Sequence, residues 1–168
     1  MKTLAAEIRL AEPHDAAALS AVHATSWRGA YGGLIPHGSL EKMIGRRNDD
    51  WWDTAIRSGA AILVAEFSGA PIGYATLGRN RTEALRADGE IYEIYLRPEY
   101  QGLGFGKRLF EAAAALLRER GLKGLVVWAL AENDRAIEFY GRLGGRDIAE
   151  GSECFDTRKV AKIAFLWN

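Results

Sequence analysis

One cysteine, Cys154, is all that this chain of 168 residues contains, so it can form no intrachain disulfide and no cysteine-rich metal site. A lone thiol fits a reducing cytoplasm, and nothing in Gly151-Ser152-Glu153-Cys154 suggests activation as a nucleophile. Histidines are also scarce. His14, His23 and His37 stand apart from one another and from carboxylates at metal-ligand spacing, so no metal is expected. Charge of either sign is not in excess: 22 basic and 22 acidic side chains cancel. That argues against a general nucleic-acid binder, whose affinity rests on neutralising phosphates, and leaves open only a local basic patch. No apolar run approaches the ~20 residues of a membrane helix. Glu7 and Arg9 precede any apolar run, unlike a signal peptide. The expectation is a cytoplasmic protein without membrane or nucleic-acid partners. Linkers, repeats and low-complexity stretches are missing too, and 48% apolar residues fit one domain over 1–168.

What is present is a clear succession of patterns. Ile8 to Leu10 reads as a short strand. Pro13 opens a helix whose Leu19, Val22, His23, Ser26 and Trp27 share one face. Gly32, Gly33, Pro36 and Gly38 make residues 31–38 a loop that includes Tyr31. Ser39 is expected to cap a second helix. Asn48, Asp49 or Asp50 is expected to cap a third, with Trp51, Trp52, Ala55 and Ile56. Residues 61–67 and 72–77 form a hairpin around Ser68-Gly69. A polar loop over 79–88 leads to a strand at 90–96. Lys107 to Arg120 is a helix stopped by Gly121; 125–130 is a strand; Asp134 to Leu143 is a helix ended by Gly144-Gly145. Strands at 146–150 and 161–167 close the chain through a polar connection. Hairpins and crossovers together predict a mixed sheet.

The segment Gln101-Gly102-Leu103-Gly104-Phe105-Gly106 lies between the 90–96 strand and a helix. Glycines let the backbone turn tightly and approach a ligand. The free N–H groups of the helix start then favour an anion. A P-loop needs Gly-x-x-x-x-Gly-Lys-Ser/Thr, but Gly106-Lys107 is followed by Arg108. A Rossmann fingerprint needs Gly-x-Gly-x-x-Gly, and the spacing here is Gly-x-Gly-x-Gly. A tight turn that binds nothing stays open on these glycines alone.

The segment does not stand alone. Gln101-x-x-Gly104-x-Gly106 resembles the Arg/Gln-x-x-Gly-x-Gly/Ala signature of the GNAT superfamily of N-acetyltransferases. Ile94-Tyr95-Leu96-Arg97-Pro98-Glu99-Tyr100 resembles the strand and proline loop before it. Asn133 to Gly144, with Ala136, Phe139, Tyr140 and Leu143, is similar to the family's later helix. Ser26-Trp27-Arg28, Tyr31 and Leu34-Ile35-Pro36 look like the first helices of a bacterial branch. The likeness covers nearly the whole chain.

That resemblance implies an α/β (α+β) fold with a mixed, mostly antiparallel sheet of about seven strands. Strands 4 and 5 would splay, and about four or five helices would flank the sheet. It implies acetyl-CoA as co-substrate and direct transfer to a primary amine. The backbone of Gln101, Gly102, Leu103, Gly104, Phe105, Gly106 and Lys107 would hold the pyrophosphate. Ile94, Tyr95 and Leu96 would meet the thioester arm, as would Asn133, which can also cap its helix. Tyr140 would protonate the CoA sulfur. Glu90 or Glu93 would serve as base; regular alternation puts them on opposite faces, unless a bulge intervenes, with Glu90 slightly favoured. Trp27 and Tyr31 would line the acceptor site, with Tyr31 the best candidate. For Trp51, Trp52 and Trp128 core packing is expected. The acceptor would be a small-molecule or peptide amine, and dimers are frequent in the family. A CoA-binding regulatory domain without catalysis is the alternative.

Overall fold

The computed structural model describes residues 6–168. Seven strands form one sheet: β1 (Glu7–Leu10), β2 (Ala61–Phe67), β3 (Ala70–Arg79), β4 (Gly89–Leu96), β5 (Leu125–Leu130), β6 (Arg146–Phe155) and β7 (Arg158–Trp167). Their spatial order is β1-β2-β3-β4-β5-β7-β6. Every neighbouring pair is antiparallel except β4 and β5. Among the described residues five helices flank the sheet: α1 (Ala16–Tyr31), α2 (His37–Arg46), α3 (Asp49–Arg57), α4 (Phe105–Glu119) and α5 (Asp134–Arg142).

Alternation along β2 explains how both faces are covered. Ala61, Leu63 and Ala65 join Leu109, Phe110, Ala113 and Leu117 of α4 on one face. Ile62 and Val64 join Leu19 and Val22 of α1 and Trp52 of α3 on the other. A strand buried on both faces reads as a continuous apolar run, as Ala61-Ile62-Leu63-Val64-Ala65 does.

Four expectations are corrected. Helix α1 continues through Tyr31, so this tyrosine sits on the last turn of a helix rather than in a glycine loop. Ser39 lies inside α2, which starts at His37 after Pro36, and its hydroxyl bonds Asp156 instead of capping. Asn48 does cap α3, accepting the Trp51 N–H at 2.9 Å. The third difference is the end of the chain: β6 and β7 run to 155 and from 158, joined at Asp156-Thr157 with Asp156 at φ 56°. Glu153 and Lys159 look like a connection in sequence because β6 is an exposed edge strand. Lys162 and Glu153 in fact pair across the hairpin at 3.1 Å.

The fourth concerns β4. Its pairing with β3 slips from Thr76↔Glu93 to Leu77↔Ile91, leaving Tyr92 as an extra residue. Such a bulge reverses the facing of everything beyond it. Glu90 and Glu93 therefore open onto the same side of the sheet, against the alternation rule.

Candidate active site

The parallel β4–β5 pairing is only two residues long, Gly89↔Leu125 and Glu90↔Val126. Strand β5 nevertheless stays paired with β7 as far as Leu130↔Lys162. The two strands therefore part after Glu90, and the edge of β4 from Ile91 to Leu96 faces a gap. The Arg97 N–H returns to Ile72 on β3 at 2.8 Å. Alternation then turns the backbone groups of Ile94 and Leu96 toward the gap, and those of Tyr95 toward β3. The Leu96 carbonyl is held there by side chains, Ser26 Oγ and Gln101 Nε2, each at 3.3 Å. The Gln101 Oε1 is buried without a partner.

The glycine segment follows directly. Gly102 and Gly104 have φ of 77° and 86°, the left-handed region that other residues avoid. A Cβ at either would meet nothing within 4 Å, so it is conformation, not crowding, that calls for glycine. Gly104 ends the turn as the residue before α4, and the first bond returning to it comes from Arg108. The N–H groups of Phe105, Gly106 and Lys107 therefore lie in the first turn, where intrahelical partners are lacking. Leu103, 64% exposed, points no apolar surface inward. Gly106 has a different reason: a Cβ would come within 3.2 Å of the Phe139 ring on α5. Here glycine permits α4 and α5 to pack closely.

On the α1–α3 side of the gap lies a cavity of about 330 Å³. Trp27, Tyr31, Glu90, Glu93 and Tyr95 all line it. Glu93 is buried and has four donors: Arg47, and Trp27 Nε1, the Tyr74 hydroxyl and Thr76 Oγ1, the last three each at 3.2 Å. Glu90, 1% exposed, is bound by Arg81 through its backbone N–H at 2.9 Å and its guanidinium at 2.7 Å. A buried carboxylate is tolerable only with such partners. The Tyr31 and Tyr95 hydroxyls bond each other. Burial raises the Tyr31 phenol to about 12 and pushes Tyr95 up as well, so both stay protonated.

Tyr140 lies across the sheet from this cavity, among Phe110, Phe139, Phe165 and Trp167. Its phenol is raised mainly by burial, with smaller electrostatic contributions from Tyr31 and Glu93. It can therefore donate a proton without losing it to solvent. Asn133 caps α5, its Oδ1 accepting the Ala136 N–H at 3.2 Å, which leaves its NH₂ group for another partner.

The sequence missed several residues that line the cavity. Arg47, just past α2, lies 4.4 Å from the Trp51 ring centre and binds Glu93. Arg81, in the 80–88 loop, lies 4.0 Å from the Tyr92 ring. Lys162 lies 4.5 Å from Trp128. Trp128 is thus a cavity wall rather than core, and its Nε1 reaches Thr82 Oγ1 at 3.3 Å, tying the 80–88 loop across the gap. Trp52 is fully buried as expected, but Trp51 is exposed and lines the mouth. No local pattern marks an arginine that meets its carboxylate 46 residues later.

Among the described residues there is no metal-binding cluster and no helix long and apolar enough to cross a membrane. The family model for the acetyltransferase (GNAT) family matches residues 25–145. A Bacillus subtilis (strain 168) protein named uncharacterized N-acetyltransferase YuaI is 32% identical over 160 residues, spanning 95% of this chain and 91% of that protein. A GCN5-related N-acetyltransferase from Rhodopseudomonas palustris has a similar structure, with a TM-score of 0.77 and 23% identity over 99% of this chain and 97% of that one. The PaiA N-acetyltransferase of Thermoplasma acidophilum, solved with coenzyme A, gives 0.75 and 22% over 94% and 97%. The family match runs from α1 through the glycine turn to the end of α5, and the chain belongs to the GNAT family of acetyltransferases.

Proposed function

We propose that this protein transfers the acetyl group of acetyl-CoA to a primary amine, with both substrates bound together. The observation that carries this reading is the open edge of β4, which joins the glycine turn to the cavity. An extended arm can add to such an edge as a strand would. Its phosphates would then lie at the N–H groups from Gln101 to Lys107. Coenzyme A bound to the Thermoplasma relative supports this choice of ligand. The arm would pair with the Ile94 and Leu96 backbone, beside Tyr95, and with the Asn133 amide.

The chemistry needs three proton and charge events. The amine must be neutral to attack, because an alkyl ammonium has a pKa of ~10.4. Glu90 and Glu93 are the carboxylates toward which its proton moves, through water, since both are engaged by arginine. The nitrogen lone pair then attacks the carbonyl carbon of the thioester. A backbone N–H of the free β4 edge is positioned to stabilise the oxyanion. The C–S bond breaks as Tyr140 gives its proton to the departing sulfur, and the proton that the attacking nitrogen sheds goes to water, from which the phenol is restored. An amide and free CoA thiol result. Trp27 and Tyr31 hold the acceptor.

The arginine pairing of both carboxylates favours one other reading, a CoA-binding domain without catalysis. Thiol release from acetyl-CoA over a panel of primary amines separates the two. Amine-dependent release supports transfer. Tight CoA binding without any amine-dependent release supports the regulatory domain.

A further inference from the structure

Among the described residues three cations open onto the cavity, and all are engaged in the same manner. Arg47 pairs with Glu93 and lies over Trp51. Arg81 pairs with Glu90 and lies over Tyr92. Lys162 pairs with Glu153 and lies over Trp128. Each of these triads covers an aromatic face with a resident cation and neutralises a carboxylate. An incoming ammonium is normally held by those same two features. Here both are occupied from within the chain. The lining charges also cancel, so a polycation has no net field to follow into the site.

Hydrogen-bond donors are what the triads leave over. Arg81 directs Nε and Nη2 at Glu90, at 3.4 and 2.7 Å, while its side chain remains 65% exposed. The open side of its guanidinium has the planar geometry that suits a carboxylate. Its position is held by its loop. Asn80 Nδ2 bonds the carbonyls of Thr82, Leu85 and Ala87, and Trp128 anchors Thr82. The cavity, at about 330 Å³, suits a small molecule.

We propose that the acceptor amine carries its own carboxylate, as a free amino acid does, and that Arg81 reads that carboxylate. The inference rests on the acetyl-transfer reading. The product is an N-acetyl amino acid together with free CoA thiol.

Matched pairs test it: L-lysine with cadaverine, L-arginine with agmatine, L-phenylalanine with phenethylamine, L-tyrosine with tyramine, and spermidine alone. Each is titrated calorimetrically into protein saturated with CoA, and each is assayed for acetylation. At least one amino acid should bind about tenfold or more tightly than its decarboxylated partner, a difference typical of one charge-assisted contact. Equal or tighter binding of every decarboxylated partner, preference for spermidine, or failure of all the amino acids to bind would overturn the inference. Arg81→Gln should shrink the ratio to within about threefold. Because it leaves Glu90 buried without its cation, the Arg81→Gln/Glu90→Gln double variant must show the same loss. A ratio unchanged in both removes Arg81 from the proposal. A separate titration of CoA alone into the protein reports on the acetyl-transfer reading: no CoA binding would sink that reading, whatever the amines do.

Discussion

The glycine turn and the cavity lie on either side of one gap, yet they are built from different materials. The turn is backbone: left-handed Gly102 and Gly104 and the first N–H groups of α4. Side chains in the cavity come from α1, α2, α3 and every strand from β2 to β7, with Arg47 and Arg81 supplied by connecting segments. A backbone site needs only a few consecutive residues and tolerates many side chains nearby. A side-chain site needs distant residues brought into register. One cradle can therefore serve a whole family while its cavities diverge, which is why fold and co-substrate do not by themselves name the acceptor.

The largest expected effect is at the backbone site. Gly104→Glu places an L side chain at φ 86°, which costs roughly 1–2 kcal/mol of local strain. It also brings a carboxylate to the α4 N-terminus. CoA affinity should fall on the order of a thousandfold, about 4 kcal/mol, while the fold survives because a Cβ there meets nothing within 4 Å. Calorimetry with CoA and a thermal melt check both parts. Unchanged affinity would move the pyrophosphate away from the turn.

Next comes the cavity. Arg47→Ala leaves Glu93 buried with three neutral donors and no cation. Breaking one partner of a buried pair costs about 3 kcal/mol. Adding Glu93→Gln should recover part of that loss, and CoA affinity should not move in either variant. Urea midpoints and CoA titrations give the answer. A fall in CoA affinity with Arg47→Ala would show that cradle and cavity are not separable.

Tyr140→Phe probes the junction between the two. Loss of the sulfur's proton donor should lower turnover by about a hundredfold with CoA affinity nearly unchanged. Its pH profile should lose no limb below pH 9, because burial already holds the phenol above its ordinary range. Full turnover would reduce Tyr140 to packing among Phe110, Phe165 and Trp167.

This division also explains what could be read from the sequence. The strand, turn and helix around Gln101–Gly106 carry their chemistry in adjacent positions, so the cradle was legible. So were the central strands, whose apolar runs are local. The facing of Glu90 and Glu93 was not, because it depends on a bulge that exists only where β3 pairs with β4. Arg47 and Lys162 look like ordinary surface cations until α2 and β7 are placed beside β4 and β5. The β6–β7 hairpin reads shorter in sequence than it is, because an exposed edge strand lacks the apolar alternation that marks a strand.

The smallest effect concerns a residue that neither site uses. His23 on α1 is fully buried, 4.7 Å from the Trp27 ring, and neither ring nitrogen has a partner. Burial, helped by the charge of Arg47, lowers its pKa to about 3. The unfolded chain would bind that proton near pH 6.5. Between those values the unfolded state holds more protons, so stability falls as pH drops from about 6.5 toward about 3. Above pH 6.5 the contribution is complete and flat. His23→Leu removes the titration and two unsatisfied polar atoms. It should stabilise the protein by about 1 kcal/mol at pH 7 and make urea midpoints less dependent on pH between 6.5 and 4. An unchanged pH slope would mean that the imidazole is already solvated in the native state. In that case the wall between the α1 core and the Arg47–Glu93 end of the cavity admits water, and the two regions are less distinct than their geometry suggests.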